Sequence, residues 1–266
     1  MEHNETGRYW NQNAEAWTIL SRQGYDVYRD RLNTPAFLSM LPYVTGRQGL
    51  DIGCGEGHNT CLLAQRGAHM TGVDIAPVFL RYAQAARREE PLDVRYLNGS
   101  AVELPFPCDS FDFATAFMSL MDIPETERVI GEAYRVLKPD GFLQFSITHP
   151  CYDTPHRKQL KDADGRVYAV EIGDYFRNLE GDLSEWTFSA APPEARAGLP
   201  PFRIPRFTRT LSQWLNLLVD TGFVIEQIEE PRPDDETVRA APNLQDAQVF
   251  AYFLLVRVRK PGMNEL

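Results

Sequence analysis

The chain has 266 residues, of which 43% are hydrophobic and 24% are charged, a composition typical of an ordinary globular protein with one core. The formal net charge of -10 at pH 7 repels phosphate backbones, which argues against sequence-independent binding of nucleic acid. The 4 cysteines are scattered without a Cys-x-x-Cys pair, so we expect no metal site and no disulfide framework, and we place the chain in the reduced cytoplasm. We also expect no membrane span, because no apolar run approaches the roughly 20 residues that a bilayer requires.

The middle of the chain alternates short β-rich runs with helical patterns, which predicts a parallel sheet covered by helices. We predict strands in this part at Leu50–Ile52, His69–Asp74, Asp93–Leu97, Phe111–Phe117 and Phe142–Thr148. Further β-rich runs near the C-terminus are Phe223–Ile228 and Val249–Val258.

Cap residues mark the helices between these strands. One helix should follow Gly57 and stop at Gly67, where a left-handed residue can close it, and Pro77 should open the next at its first turn. Near the C-terminus, Thr210 with Gln213 three residues on has the pattern of a capping box.

A further helix is predicted after the fourth strand. Asp122 with Glu125 three residues on resembles an N-terminal cap for the apolar stripe that follows.

The stretch LDIGCGEG places glycines at every second position directly after the first strand. Such a turn between a strand and a helix lets a ligand lie against bare backbone, with helix N–H groups directed at it. Asp74 ends the second strand, about 20 residues beyond Gly53, where a carboxylate can accept both hydroxyls of a ribose. The pattern predicts a ligand that contains a nucleoside; the alternative is a tight turn after which Asp74 only caps the next helix.

The glycine spacing distinguishes between nucleoside ligands. A dinucleotide site usually has G-x-G-x-x-G, whereas this chain has G-x-G-x-G. Asp51 precedes the turn, and its negative charge would oppose a pyrophosphate but favour an ammonium group. An adenosine that carries an amino acid therefore fits better than a dinucleotide.

Four blocks together resemble the class I S-adenosylmethionine-dependent methyltransferases, particularly those of ubiquinone and menaquinone biosynthesis: LDIGCGEG at Leu50, GVDIAP at Gly72, LPFPCDSFDFA at Leu104 and VLKPDGFL at Val136. The resemblance implies an α/β, Rossmann-like seven-stranded sheet, mostly parallel, with helices on both faces and the last strand antiparallel. It also implies S-adenosylmethionine as the methyl donor and S-adenosylhomocysteine as the product.

The resemblance also implies roles for single residues. Asp74 would hold the ribose and Ile75 would pack on the adenine, while the glycine turn approaches the methionine moiety. Ser100 stands where the family often has an acid that contacts the adenine, so one charged contact is in doubt. The expected cofactor contacts are Trp17, Asp51, Gly53, Cys54, Gly55, Asp74, Ile75, Ser100, Ala101 and Phe117.

We expect a single methyltransferase domain over residues 1–266. Its parts would be a helical lid at 1–45, a cofactor-binding core at 46–149, an inserted substrate cap at 150–207, and a C-terminal helix and strands at 208–260. In the lid, Trp17 is either a cover over the methionine end of the cofactor or an apolar anchor of the helix.

The inserted segment follows the fifth strand and so lies at the ligand-binding edge. It is rich in aromatic residues, which either form an acceptor pocket or pack the insertion onto the sheet. Its arginines could attract an acidic acceptor or form a solvated basic face. The expected substrate contacts are Tyr152, Tyr175, Trp186 and Arg206.

His149 follows the fifth strand and is the candidate catalytic base, with a structural cap of the strand end as the equal alternative. We therefore expect methyl transfer to a small-molecule acceptor, with oxygen as the favoured atom. The alternatives are a non-catalytic S-adenosylmethionine-binding regulatory protein and a nicotinamide-dependent oxidoreductase. The sequence leaves the acceptor and the oligomeric state open.

Overall fold

The computed structural model of the protein describes residues 1–89 and 91–262. In this part, the strands are β1 (Gln48–Ile52), β2 (His69–Asp74), β3 (Val94–Asn98), β4 (Phe111–Phe117), β5 (Leu137–Thr148), β6 (His156–Lys161), β7 (Val167–Gly173), β8 (Glu180–Trp186), β9 (Phe202–Phe207), β10 (Val224–Glu229) and β11 (Phe253–Arg259). The helices are α1 (His3–Arg22), α2 (Thr34–Met40), α3 (His58–Gln65), α4 (Pro77–Glu89), α5 (Thr126–Val136), α6 (Pro193–Arg196), α7 (Leu211–Thr221) and α8 (Asp235–Ala240).

Seven strands of the described chain form one sheet in the order β10-β11-β5-β4-β1-β2-β3. The pairs from β5 to β3 are parallel, and β11 runs antiparallel to both β5 and β10. The predicted sheet, with its antiparallel last strand, is confirmed. Strands β1, β2 and β3 follow one another toward one edge of the sheet, and β4 then lies on the other side of β1. Open sheets bind ligands at the point where the strand order reverses in this way.

Helices cover both faces of this sheet because its buried strands are apolar on both sides. On one face, Ile130 of α5 and Leu218 of α7 pack in the same cluster as Leu50 of β1. On the other face, Leu63 of α3 packs with Phe113 of β4. This sandwich fixes the strand ends on which the site is built.

The predicted caps at the two ends of α7 are present. Thr210 and Gln213 form a reciprocal capping box, and Gly222 closes the helix in the left-handed conformation. Gln213 satisfies the Thr210 N–H while Thr210 accepts from the Gln213 N–H, so two exposed donors of the helix start are paired.

The predicted cap of α5 is wrong. Asp122 ends a short 3-10 turn, Leu120–Asp122, and α5 begins only at Thr126, with no side-chain hydrogen bond from Glu125 at its N-cap. Pro124 explains the difference, because a residue before proline is kept out of the helical region and Ile123 is accordingly extended.

Several strand boundaries differ from the predictions by one or two residues, and the starts of β5 and β11 differ by more. β5 begins at Leu137, which already pairs with Phe111 of β4, rather than at Phe142. β11 begins at Phe253 rather than at Val249, because Val249 follows a 3-10 turn, Pro242–Gln248, and donates its N–H to Asp246.

The segment between β5 and α7 folds as two antiparallel hairpins, β6–β7 and β8–β9, outside the main sheet. The second hairpin packs on α1. There the Asn13 amide donates to the Arg203 carbonyl at 2.9 Å and accepts from the Arg203 N–H at 3.1 Å. The Asn13 side chain thus makes the two backbone hydrogen bonds with β9 that a neighbouring strand would otherwise make.

No helix within the described residues is both long and apolar enough to cross a membrane. The same residues contain no group of three or more His, Cys, Asp or Glu placed to hold a metal ion.

Candidate functional site

A cavity of about 840 Å³ lies over the carboxyl ends of the parallel strands. The turns after β1, β2, β3 and β4 form one side of it, and α1, the following segment and the inserted hairpins form the other. The structure brings most of the predicted site residues to this one space. Those that line it are Trp17, Asp51, Gly53, Cys54, Gly55, Asp74, Ile75, Ser100, Ala101, Phe117, Tyr152, Trp186 and Arg206.

The glycine turn gives the cavity a backbone surface. All three glycines have a positive φ, at 70° for Gly53, 54° for Gly55 and 86° for Gly57. A Cβ at Gly53 would lie 2.5 Å from the Ser119 Cβ, whereas one at Gly55 would meet no described protein atom within 4 Å. Gly55 therefore presents bare backbone to the cavity.

Asp74 organises this turn and faces the cavity. Its carboxylate accepts from the Gly55 N–H and from the Ala76 N–H, each at 2.8 Å. Burial raises the pKa of Asp74 to about 6, while these two hydrogen bonds act in the opposite direction. An ionised carboxylate has further acceptor capacity for hydroxyl groups of a ligand.

Asp51 lies below the turn and is 1% exposed. It accepts hydrogen bonds from Thr60 at 2.5 Å and from Thr115 at 2.9 Å. Burial, with a smaller contribution from the charge of Asp74, raises the pKa of Asp51 to about 6. Its negative charge is thus oriented by two hydroxyls at the mouth of β1, where a ligand's ammonium group would be favoured.

A residue that the sequence analysis missed points to the same ligand. Asn33 ends a π-helical turn, Arg29–Asn33, and lines the cavity at 1% exposure. Neither its amide nitrogen nor its amide oxygen has a hydrogen-bond partner in the described part of the protein. A buried amide without partners is costly unless a ligand satisfies it. Together with Gly55 and Asp74, it fits an adenosine that carries an amino acid.

Ile75, the expected adenine contact, lines the cavity close to the N-terminal helix. A Cβ at Gly7 of α1 would lie 2.9 Å from the Ile75 Cδ1, so the glycine lets the N-terminal helix approach closely. Ser100 turns its hydroxyl back to the Val102 N–H at 3.4 Å. Phe117 packs against Phe37 of α2, with 3.7 Å between the ring centroids.

The packing of Trp17 fits an apolar anchor of the helix, and its role as a cover over the cofactor stays a prediction. Trp17 lines the cavity, and it also lies within an aromatic cluster that joins α1 to the second hairpin. Its ring centroid is 4.9 Å from those of Phe188 and Phe202 and 5.5 Å from that of Trp186. The cluster holds the N-terminal helix against the insertion over the cavity.

Ion pairs fasten the N-terminal segment to the glycine turn. Glu56 of the turn lies 3.3 Å from Arg22 and 3.4 Å from Arg29. Arg29 also donates to Asp30 at 2.8 Å and pairs with Asp26 at 3.7 Å. Burial raises the pKa of Asp26 to about 6 despite this arginine.

Tyr175 is not among the described residues that line the cavity, in contrast to the prediction. Its hydroxyl accepts the Leu211 N–H at 2.8 Å and so satisfies a donor at the start of α7. Arg206 does line the cavity, but its charge is matched by Asp153 at 2.5 Å. The aromatic and basic residues of the insertion are thus partly structural and partly exposed to the cavity.

His149 is 4% exposed and is not among the described lining residues. Its Nδ1 accepts the Cys151 N–H at 3.1 Å, so the proton of the neutral ring is on Nε2, which donates to Glu230 at 2.7 Å. Both ring nitrogens are therefore engaged in holding the end of β5. This geometry corrects the assignment of His149 as the base and favours the structural alternative.

The cavity also contains a polar group, between the insertion and the terminal segments, that the sequence analysis missed. The Tyr28 hydroxyl donates to Asp246 at 2.6 Å, and Gln159 donates to the other oxygen of Asp246 at 2.7 Å. These residues come from the N-terminal segment, the C-terminal segment and the insertion. No local spacing in the sequence could have connected them.

Comparisons with known proteins identify the family of the chain. Residues 50–145 match a family model described as "Methyltransferase domain". The crystal structure of an S-adenosylmethionine-dependent methyltransferase from Mesorhizobium loti is 30% identical, with a TM-score of 0.68, over 85% of this chain and 96% of that chain. The chain therefore belongs to the S-adenosylmethionine-dependent methyltransferases, which confirms the resemblance and the cofactor that it implies.

Curated methyltransferases are similar in sequence to this chain over part of their length. A demethylmenaquinone methyltransferase from Listeria welshimeri is 34% identical over 148 residues, 52% of this chain and 60% of the relative. A ubiquinone biosynthesis O-methyltransferase from Pseudomonas entomophila is 31% identical over 141 residues, 52% of this chain and 57% of the relative. The matched segment thus spans about 60% of the length of these relatives.

Proposed function

We propose that the protein transfers a methyl group from S-adenosylmethionine to an oxygen atom of a small-molecule acceptor. The observation that carries the proposal is that one cavity extends from the glycine turn and Asp74 to the aromatic walls of the insertion. A donor on the turn and an acceptor under the insertion would share one space. Bringing the two reactants together in this way supplies much of the rate enhancement of a transfer reaction.

When bound, the cofactor supplies a methyl group already activated on a sulfonium. The chain's own residues bind and orient it: Asp74 accepts the ribose hydroxyls, Ile75 packs on the adenine, and Asp51 and Asn33 serve the amino-acid end. Trp17 and its aromatic cluster exclude water from the methyl group. These assignments are supported by the burial and the hydrogen-bonding capacity of each side chain.

The acceptor is proposed to be a small molecule because the cavity, at about 840 Å³, is within the usual range of small-ligand sites. The net charge of -10 disfavours a nucleic-acid acceptor. Tyr152, Trp186 and Phe207 offer aromatic surface on the acceptor side, which suits a planar ring. Oxygen as the acceptor atom is supported by the name of the O-methyltransferase relative.

The proposed parts are the lid at 1–45, the core at 46–149, the substrate cap at 150–207 and the C-terminal elements at 208–260, acting as one domain. We also propose a cytoplasmic enzyme, since the scattered cysteines suit a reducing compartment.

Mass spectrometry of the purified protein and a labelled-methyl assay test the proposal. We expect co-purified S-adenosylmethionine or S-adenosylhomocysteine, and transfer of the label to a small molecule of a cell extract as a methyl ether. Binding without transfer would instead favour a regulatory protein, and a co-purified nicotinamide cofactor would favour an oxidoreductase. A label found on nitrogen or carbon would contradict the choice of oxygen.

A further inference from the structure

Asp122 lies on the cavity wall at the edge where β1 and β4 end. Ser119, at the start of its 3-10 turn, donates its hydroxyl to the Ile52 carbonyl at 2.6 Å and packs against Gly53. The Asp122 N–H donates to the Ser119 carbonyl at 3.1 Å. The turn that carries Asp122 is thus fastened directly to the glycine turn on which the donor is proposed to lie.

The Asp122 carboxyl receives no hydrogen bond from any side chain or backbone group of the described protein, and its neighbouring charge is Asp153. Burial, with the charge of Asp153, raises the pKa of Asp122 well above its usual value. Asp153, in contrast, receives Arg206 at 2.5 Å and Arg157 at 3.3 Å. One carboxyl of the pair contacts two arginines, while the other has no cationic partner among the described residues.

The charged groups on the elements packed around this turn are paired with others. On the β9 side, Arg206 is engaged by Asp153. At the start of α5, Glu127 pairs with Arg209 at 3.3 Å. In the lid, His3 pairs with Glu125 at 2.8 Å. These contacts leave Asp122 directed to the cavity without a partner of opposite charge.

We propose that Asp122, rather than His149, accepts the proton of the acceptor hydroxyl during methyl transfer. The inference rests on the proposed function. The hydroxyl oxygen forms a bond to the methyl carbon, the carbon–sulfur bond breaks and leaves its electron pair on sulfur, and the hydroxyl proton moves to the Asp122 carboxylate. A carboxylate whose basicity is strengthened by burial suits this role, and the Asp122 carboxyl returns its proton to solvent water after product release.

The first test compares turnover of the wild type and Asp122→Asn with the acceptor fraction found active in the labelled-methyl assay. We expect Asp122→Asn to lower turnover by about 10²- to 10⁴-fold, with S-adenosylhomocysteine affinity near that of the wild type. Wild-type turnover should rise with pH through one transition that the variant lacks, and high pH should partly rescue the variant. A structural role would lower the rate by the same factor at every pH.

Asp109→Asn is the matched control. Asp109 lies before the opposite end of β4 and pairs with Lys260 at 2.7 Å, and asparagine tolerates its positive φ of 56°. We expect this control to retain the wild-type turnover and pH profile. Thermal unfolding of both variants checks that they fold.

The second test needs no acceptor and uses S-adenosylmethionine and S-adenosylhomocysteine as probes. An ionised Asp122 attracts the cationic donor more than the neutral product, so the ratio of their affinities should rise with pH. Asp26, Asp51 and Asp74 also have raised pKa values, so the effect of Asp122 is the difference between the wild type and Asp122→Asn. Calorimetry at several pH values measures both affinities.

The outcomes separate the two proposals. Methyl transfer by the wild type with equal turnover by Asp122→Asn at every pH would overturn the role of Asp122 and leave the proposed function standing. Equal affinity ratios in both proteins would show that Asp122 does not face the donor. If the wild type binds both probes and transfers no methyl group, the proposed function fails, and this inference with it.

Discussion

The glycines of the turn are required for different physical reasons. Gly53 is required by packing, since a side chain there would overlap Ser119. Gly57 is required by its neighbours on α4 and β3, because a Cβ would lie 3.0 Å from that of Ala83 and would also meet the Tyr96 hydroxyl. Gly55 is required only by its backbone conformation and by what occupies the cavity. A sequence pattern alone presents these positions as equivalent.

Gly55→Val should abolish binding of S-adenosylhomocysteine while the protein still folds. The valine would cost roughly 1 to 2 kcal/mol for its left-handed backbone, and its methyl groups would occupy the space of the ligand. Gly46→Val is the control, because Gly46 has a φ of 74° and equally open surroundings outside the cavity. Calorimetry should find the wild-type affinity only in the control; normal binding by Gly55→Val would make the glycine turn purely structural.

Asp74→Ala should weaken binding of S-adenosylhomocysteine by about 1 to 3 kcal/mol, because two ribose hydroxyls lose a charged acceptor. The pKa of Asp74 is raised from 3.8 to about 6, so in the wild type the affinity should fall as the pH drops below about 6 and the carboxylate becomes protonated. The variant should lose part of this pH dependence. Titration calorimetry at several pH values measures both effects, and an unchanged dissociation constant would remove Asp74 from the site.

At the scale of the elements, the capping box at the start of α7 should contribute to the stability of the protein. Thr210→Ala should lower the free energy of unfolding by about 0.5 to 2 kcal/mol, because the N-terminal N–H groups of α7 lose an acceptor. Thr210→Ser retains the hydroxyl and should restore most of that stability. Denaturant unfolding measures the change. Equal stability of all three proteins would show that the capping box contributes nothing.

The elements of the sheet could be predicted because each carries its own local signal. The strands are short apolar runs, and the turns after β1 and α7 need glycine at a positive φ. The start of α5 was missed because Pro124, within the predicted first turn, outweighed the apparent cap at Asp122.

The roles of single site residues were harder to predict because their partners are distant in the sequence. His149 bonds to Glu230, 81 residues away, and Tyr175 bonds to Leu211, 36 residues away. A histidine and a tyrosine near the ends of strands suited a functional site, but in the structure their polar atoms hydrogen-bond to residues outside the cavity. Asn33 gave no signal at all, since a π-helical turn has no distinctive apolar period.

For the whole molecule, ligand binding should raise stability by mass action. S-adenosylhomocysteine at 100 times its dissociation constant should add about 2.7 kcal/mol, or roughly 5 to 10 °C in melting temperature. At the same ligand concentration, the gain should be smaller below pH about 6, because protonation of Asp74 weakens binding. Thermal unfolding with and without the ligand measures it, with Gly55→Val as the variant expected to show no shift. An unchanged melting temperature of the wild type in the presence of the ligand would contradict the proposed cofactor site.

The junction of α1 with β9 has a consequence for engineering. The Asn13 amide binds the Arg203 backbone, which any residue except proline can supply, but Trp17 of α1 packs among aromatic side chains of the insertion. A chimaera that takes the hairpins of a relative, in order to change acceptor preference, would replace these aromatic partners while Trp17 itself stayed. Transferring α1 together with the hairpins would keep these contacts. New acceptor preferences are therefore best sought by recombining α1 and the insertion as one unit.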